Sequence, residues 1–294
     1  MTSTTSGSPE TMPKNCLEIL KQAKAKLKAR NIESGQLEAE LILAFVLGCQ
    51  KHELHLEPKR ILTQKESDCF QILLEQRLCG KPLQYILGQT YFFRYKFKVN
   101  PKVLIPRPET EILVNEVIAL LEEKKNPRII DLGTGSGNIA VSLALNLSDA
   151  QFLATDISPS ALKVAKDNAR MNKVDSRIEF LCGDLFEPIK TKVDTIVSNP
   201  PYVSEEEFTK LPDQIRDFEP KQALLAGKDG LDFIRKIIDQ APEFLVSEGL
   251  LALEIGFGQD GKVKETICKN KGCELIDIRK DLSGIPRVVL ARKL

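Results

Sequence analysis

Two hydrophobic periodicities divide this chain. Up to about Gly80 the apolar positions recur at helical spacing. Leu17, Ile19, Leu20, Ala23 and Leu27 form one stripe. Leu37, Leu41, Ile42, Ala44, Phe45 and Leu47 form a second, stopped by Gly48, and Phe70, Ile72, Leu73, Leu74 and Leu78 a third, with Thr63 as its cap. Lys81-Pro82-Leu83-Gln84-Tyr85-Ile86-Leu87-Gly88 ends this helical part. An aromatic run follows (Tyr91, Phe92, Phe93, Tyr95, Phe97), set between Gly88 and Asn100-Pro101, and it predicts a β-hairpin over residues 89–99. From Pro127 onward the pattern alternates. Short apolar runs at 128–132, 151–155, 177–181, 193–198, 250–255, 274–279 and 287–291 predict strands, and residues 136–147, 159–171, 230–246 and 259–270 fit helices. Such alternation gives a mostly parallel seven-stranded sheet with helices on both faces, an α/β fold. The last two strands are joined by a connector too short for a parallel crossover, so they should pair antiparallel. The expected organisation is a disordered tail (1–14), a helical domain (15–80), a linker with the hairpin (81–105) and an α/β domain (106–294).

Composition narrows the class. With 294 residues, 42% hydrophobic and 28% charged, the chain has room for about two globular domains. Its 42 basic and 41 acidic residues leave a net charge of +1, which argues against a strong nonspecific footprint for nucleic acid or membrane. The seven cysteines are odd in number and form no Cys-x-x-Cys pair, as suits reduced thiols in the cytoplasm. No apolar run approaches the roughly 18–20 residues of a membrane span. Residues 1–14 are Ser/Thr/Pro-rich, unlike a secretory or transit signal. His52 and His55 lack a third nearby ligand, so no metal is expected.

Candidate chemistry gathers at the expected carboxyl ends of the strands, where open α/β sheets bind ligands. Asp131-Leu132-Gly133-Thr134-Gly135-Ser136-Gly137 follows the first strand and opens a helix, and its glycines let backbone approach a ligand at a helix N-terminus. Asp156 ends the second strand, placed for ribose hydroxyls, and Gly183-Asp184-Leu185 ends the third, within reach of a base. The loop alone admits a nicotinamide dinucleotide or S-adenosylmethionine. Asp131 favours the latter, whose amino-acid ammonium it can accept, and no proton relay for nicotinamide chemistry is visible. Ser198-Asn199-Pro200-Pro201-Tyr202 ends the fourth strand. Two prolines stiffen it and leave carbonyls free, so the Asn oxygen and a backbone carbonyl can each accept one N–H of a planar NH₂ group while an aromatic ring lies against it. Pro106-Arg107-Pro108-Glu109 is a rigid extended stretch before a helix beginning near Thr110.

Together these motifs resemble the class I (Rossmann-like) S-adenosylmethionine-dependent methyltransferases. More narrowly, Pro82 to Gly88, Ile105-Pro106-Arg107-Pro108-Glu109-Thr110-Glu111, the loop from Asp131 to Gly137 and Asn199-Pro200-Pro201-Tyr202 resemble, in order and spacing, the peptide chain release factor glutamine methyltransferases. The resemblance runs from about Asn15 to the C-terminus. It implies methyl transfer to the side-chain amide nitrogen of the glutamine in a Gly-Gly-Gln motif, with S-adenosylhomocysteine as product. It implies that Asp131, Gly133, Thr134, Gly135, Ser136, Gly137 and Asp156 bind the cofactor, that Asp184 and Leu185 lie near its adenine, and that Asn199 touches cofactor and substrate. Leu185 departs from members with an aromatic ring there. Asn199, Pro200, Pro201 and Tyr202 would hold the glutamine, with Asn199, Pro200 and Tyr202 in catalytic roles, and Arg107 and Glu109 would wall the pocket. The expected partner is a class 1 release factor gripped by the helical domain. The enzyme would be a cytoplasmic monomer with no stable nucleic-acid partner, no membrane and no metal. An adenine-N6 DNA methyltransferase would present the same donor pair to the same tetrapeptide, but the near-zero charge and the lack of a basic target-recognition domain count against it. A noncatalytic binding module is disfavoured because both motifs are intact.

Overall fold

The computed structural model describes residues 15–294; the tail expected over residues 1–14 lies outside them. The chain divides into one unit ending at Leu87 and another beginning at Gly88.

In the first unit the three stripes become α1 (Cys16–Ala29), α2 (Gly35–Leu47) and α3 (Gln64–Leu78). Asn15 and Thr63 each cap a helix in a reciprocal box with the glutamate three residues on, Glu18 and Glu66, so the first free N–H groups are satisfied. Gly48 ends α2 in the left-handed region at φ 65°. Ile19, Leu27, Ile42, Leu43, Phe70 and Leu74 fill the interior. Arg77 of α3 donates two hydrogen bonds to Glu38 of α2, a near-buried bidentate pair. The stretch 81–88, read as the end of the helical part, folds one further short helix, α4 (Leu83–Leu87).

The second unit opens with the expected hairpin, β1 (Gln89–Phe92) and β2 (Tyr95–Lys98), in antiparallel register. After it come α5 (Thr110–Leu121), β3 (Arg128–Leu132), α6 (Asn138–Asn146), β4 (Gln151–Asp156), α7 (Pro159–Met171), β5 (Ile178–Cys182) and β6 (Val193–Ser198). Two short helices follow, α8 (Glu205–Lys210) and α9 (Asp213–Arg216), then α10 (Asp232–Phe244), β7 (Leu245–Glu254), α11 (Asp260–Lys269), β8 (Cys273–Lys280) and β9 (Pro286–Lys293). The seven-stranded sheet has the order β5-β4-β3-β6-β7-β9-β8. Only the pairs made by β9 are antiparallel, which is the pairing the short final connector requires. Neighbouring residues of each strand feed opposite cores, as a period of two demands. Ile129, Phe152, Val197 and Leu290 face the helices α5, α6 and α7; Ile130, Ile196, Leu251 and Val289 face α10 and α11. Both faces are therefore covered, as parallel strands need.

Four boundaries differ from the expectation for physical reasons. The helix read from 136 starts at Asn138, because Gly137 sits at φ 80° and cannot be helical. The helix read over 230–246 stops at Phe244, and β7 starts five residues earlier than the pattern suggests. Polar Ser247-Glu248-Gly249 interrupts the apolar run there, with Glu248 at φ 61° and the register slipping between Val193 and Thr195 of β6. The third strand begins at Ile178 because Asp175–Arg177 forms a tight 3-10 turn. Among the described residues no helix is long and apolar enough to cross a membrane.

Candidate active site

The chain moves outward from β3 to β4 and β5, then returns to β6 on the other side, so β3 and β6 flank the point where strand order reverses. A crevice is unavoidable there, because the connections on its two sides leave in opposite directions. At that edge lies a cavity of about 520 Å3. Leu132 to Ser136 form its floor, Asp156 and Ser158 one side, and Asp184 and Leu185 the far end. Ser198 to Pro201 and the segment from Lys102 to Arg107 form the other side.

The glycine loop has the shape that backbone approach requires. Gly133 and Gly135 adopt φ 68° and 56°, and a Cβ on Gly133 would meet nothing within 4 Å, so it faces open space. Gly137 serves packing instead: a Cβ there would sit 3.1 Å from the Ala165 Cβ of α7. Asp156 fixes the loop from the side. Its Oδ2 accepts from Gly135 N at 2.9 Å and its Oδ1 from Ser158 N at 2.8 Å, while burial raises its pKa against those two bonds. Asp131 lies beneath the loop, fully buried. Its Oδ2 accepts from the Thr134 hydroxyl at 2.6 Å and from Ala140 N in the first turn of α6 at 3.2 Å, and among the described residues its Oδ1 has no partner. Burial pushes its pKa up to about 7, opposed by those two bonds and reinforced by the charge of Asp156.

Across the cavity, Asn199 follows β6. Its Nδ2 donates to Thr110 Oγ1 at 3.0 Å, and among the described residues no hydrogen bond is made to its Oδ1. Asn199 and Pro200 both line the cavity, and the amide oxygen of one and the carbonyl of the other are the acceptors they can offer it. Glu219 ties the segment around Arg107 into the rim. Its buried carboxylate accepts from Ile105 N at 3.1 Å and pairs with Arg107 Nη2 at 2.5 Å, joining the Pro-Arg-Pro stretch to the loop bearing Pro220, Gln222 and Ala223.

A family model for the PrmC N-terminal domain matches residues 18–88, and one for the methyltransferase small domain matches residues 109–215. A release factor glutamine methyltransferase from Thermodesulfovibrio yellowstonii is 43% identical over 260 residues, spanning 87% of this chain and 92% of its own length. One from Nitratidesulfovibrio vulgaris is 38% identical over 279 residues, 94% of each. The chain belongs to the release factor glutamine methyltransferase family. Among solved structures, a methyltransferase from Pyrococcus furiosus shares the fold at a TM-score of 0.51 and 19% identity, over 68% of this chain and 90% of its own.

Of the residues that the sequence nominated for a methyltransferase site of this family, Gly133, Thr134, Gly135, Ser136, Asp156, Asp184, Leu185, Arg107, Asn199, Pro200 and Pro201 line the one cavity. Four do not. Gly137 packs on α7, and Asp131 lies under the floor. Glu109 stands beside Glu254, whose pKa its charge raises. Tyr202, expected against the substrate plane, turns its ring into the core under the sheet and its hydroxyl toward Glu254 at 3.4 Å. Sequence reasoning overlooked Thr110, Glu219 and Glu254. For Glu254 a signal existed: a lone carboxylate ends the otherwise apolar strand Leu250-Leu251-Ala252-Leu253 at the ligand-binding edge. For Glu219 there was none, because its partners lie more than a hundred residues away.

Proposed function

We propose that this chain transfers a methyl group from S-adenosylmethionine to the side-chain amide nitrogen of the glutamine in the Gly-Gly-Gln motif of peptide chain release factors. S-adenosylmethionine, when bound, supplies an electrophilic methyl on a sulfonium centre. The residues fit it. The Cβ-free surface of Gly133 and Gly135 admits a close-lying ligand, and Asp156 stands where ribose hydroxyls would be read. Asp184 and Leu185 wall the base end.

The observation that carries the reading is the commitment of Asn199 Nδ2 to Thr110, which leaves Oδ1 as the free acceptor of a residue that lines the cavity together with Pro200. An amide nitrogen is a weak nucleophile because its lone pair is delocalised into the carbonyl. Holding both its N–H groups on two fixed acceptors orients the nitrogen and stabilises the positive charge that grows on it as the new bond forms. The proton becomes acidic only during transfer, so no strong base is required beforehand. The match of the first unit to the PrmC N-terminal domain supports a protein substrate, which that unit would grip.

The test is transfer of labelled methyl to a purified release factor and to its variant with alanine in place of the Gly-Gly-Gln glutamine. Label on the first alone supports donor, acceptor and reaction together; label on both or neither sinks the reading. Asn199→Ala is expected to lower kcat by about a hundredfold, the scale of losing a fixed donor or acceptor in the transition state, while cofactor affinity by calorimetry stays within about twofold.

A further inference from the structure

Gln259 is the last residue before α11, yet among the described residues its side chain makes no bond that caps that helix, a task asparagine, aspartate or serine does better. It is 7% exposed and is not one of the described residues that line the cavity. Its amide instead joins three loops at the carboxyl edge of the sheet. Oε1 accepts from Gly256 N, two residues past β7, at 2.9 Å. Nε2 donates to Tyr202 O at 2.9 Å and to Gly230 O, two residues ahead of α10, at 3.3 Å. One N–H and two carbonyls around it fix which way the amide faces. The surrounding backbone is drawn in tightly. A Cβ on Gly230, which sits at φ 76°, would fall 2.4 Å from Tyr202 O and 2.8 Å from Gln259 Nε2. One on Gly256 would fall 3.0 Å from both Gln259 Oε1 and the Tyr202 ring. Two glycines thus make room for one buried amide.

The carbonyl that Gln259 holds closes the segment Asn199-Pro200-Pro201-Tyr202. The rings of Pro200 and Pro201 lock φ and remove both N–H groups, so this dipeptide is stiff and has no backbone donor with which to pin itself. Its place is set from its ends. At one end Asn199 Nδ2 donates to Thr110 Oγ1 at 3.0 Å, and at the other Gln259 holds Tyr202 O. Val203, one residue further on, is tied to a different loop, its N donating to Leu224 O at 2.9 Å and its O accepting from Ala226 N at 2.8 Å. A shift of Tyr202 O therefore passes through the stiff prolines to Pro200 and Asn199, both of which line the cavity.

We propose that Gln259 is a positioning residue: by holding the Tyr202 carbonyl it sets where Asn199 and Pro200 stand in the cavity wall. This rests on the reading that Asn199 and Pro200 receive the accepting nitrogen.

The experiment measures kcat and KM for a whole release factor, calorimetric cofactor affinity and melting temperature. It compares the full-length wild type with Gln259→Met, Gln259→Glu, Asn199→Ala and the double variant Asn199→Ala/Gln259→Met, with rates referred to the concentration of cofactor-binding sites. Gln259→Met keeps the length of the side chain and makes none of the three bonds. It should lower kcat about tenfold or more, since a misplacement of about 1 Å can cost about a hundredfold. KM should stay within about threefold and cofactor affinity within about twofold. Gln259→Glu keeps an acceptor for Gly256 N but loses the amide N–H groups that reach Tyr202 and Gly230, so its kcat should fall to a similar degree. In the Asn199→Ala background Gln259→Met should cost less than about threefold further, because residues that act through one contact are not additive. A residue that only stabilised the fold would lower the melting temperature and leave kcat per binding site unchanged. Wild-type kcat in Gln259→Met therefore overturns the inference, as does an undiminished loss in the Asn199→Ala background. Wild-type kcat in Gln259→Glu overturns it as well, because the bond that matters is then the one to Gly256. Wild-type kcat in Asn199→Ala overturns the reading beneath it. If Gln259→Met does not fold, the near-isosteric Gln259→Glu decides.

Discussion

At the scale of single residues, the site contains two carboxyl groups that burial holds near neutrality, Asp131 and Glu254, both raised to about 7. Burial leads in each case. For Glu254 it is opposed by the hydroxyls of Thr110 and Tyr202 and the charge of Arg287, and reinforced by Glu109. In the unfolded chain an aspartate titrates near 3.8. Between about pH 4 and pH 7 the folded protein therefore retains a proton on Asp131 that the unfolded chain has lost. The native state binds more protons in that window, so stability falls as pH rises through it and levels off above about 7. Asp131→Asn should remove its share of that slope, on the order of 4 kcal/mol at full size. Urea unfolding at pH 5 and pH 7.5 measures it, with Glu254 and Asp156, both raised by burial, contributing to the slope that remains. An identical slope in wild type and Asp131→Asn would mean that the Asp131 carboxyl is ionised throughout. At this scale the sequence was legible where chemistry is local. The glycine loop, Asp156 and Asn199 are each read from a motif of a few residues, and all line the cavity. Thr110 and Glu254 escaped because what matters about them is a meeting of three strand and helix ends 89 and 52 residues apart in chain order from Asn199 and Tyr202.

At the scale of elements, periodicity alone located the strands and the long helices but not the short α8 and α9, and the misplaced ends have one kind of cause. Each is a place where backbone geometry overrides side-chain pattern: Gly137 and Glu248 with positive φ, and the tight turn over Asp175–Arg177. A second feature of this scale was invisible in one dimension. Asn168 of α7, wholly buried, accepts from Lys98 N at 2.7 Å and donates to Lys98 O at 3.0 Å and Ser136 O at 2.8 Å. One amide thus joins the hairpin, the glycine loop and a helix. In sequence it reads only as a polar residue within an amphipathic helix. Asn168→Leu removes the partner of the buried Ser136 carbonyl and of the part-buried N–H and carbonyl of Lys98. The buried carbonyl alone costs roughly 1–3 kcal/mol when left unsatisfied, so the variant should be destabilised by about that much or more. Chemical unfolding followed by a probe in the second unit checks this. Since Ser136 belongs to the loop, cofactor affinity should fall as well. A variant as stable as wild type would show that water or a backbone shift replaces all three bonds.

At the scale of the whole molecule, the chemistry lies in the unit that begins at Gly88, and the helical unit contributes no residue to the cavity described. It nevertheless leaves large apolar side chains in solvent. Leu17, Leu56 and Ile61 are all more than half exposed, and backbone bonds bring their segments together: Leu17 N donates to Pro58 O, and Asn15 bridges Ile61. Lys59 and Arg60 lie in the same turn. An apolar patch edged by basic residues suits a protein surface, and a target glutamine among many others needs a contact away from the reacting atoms to be chosen. Such contacts contribute to binding equally in the ground and transition states, so their loss raises KM and spares kcat. Removing residues 1–87 should therefore raise KM for a whole release factor about tenfold or more while leaving kcat/KM for a short Gly-Gly-Gln peptide within about threefold. Circular dichroism and calorimetric cofactor binding establish that the remaining unit is folded before the comparison is made. In the full-length chain, Leu56→Glu with Ile61→Glu should reproduce the KM effect in part, since these side chains are already in water and their replacement leaves the interior untouched. Equal KM values for the whole factor with and without the helical unit would place target selection entirely at the cavity mouth, with Arg107, Glu219 and the Pro220 loop as the elements that perform it.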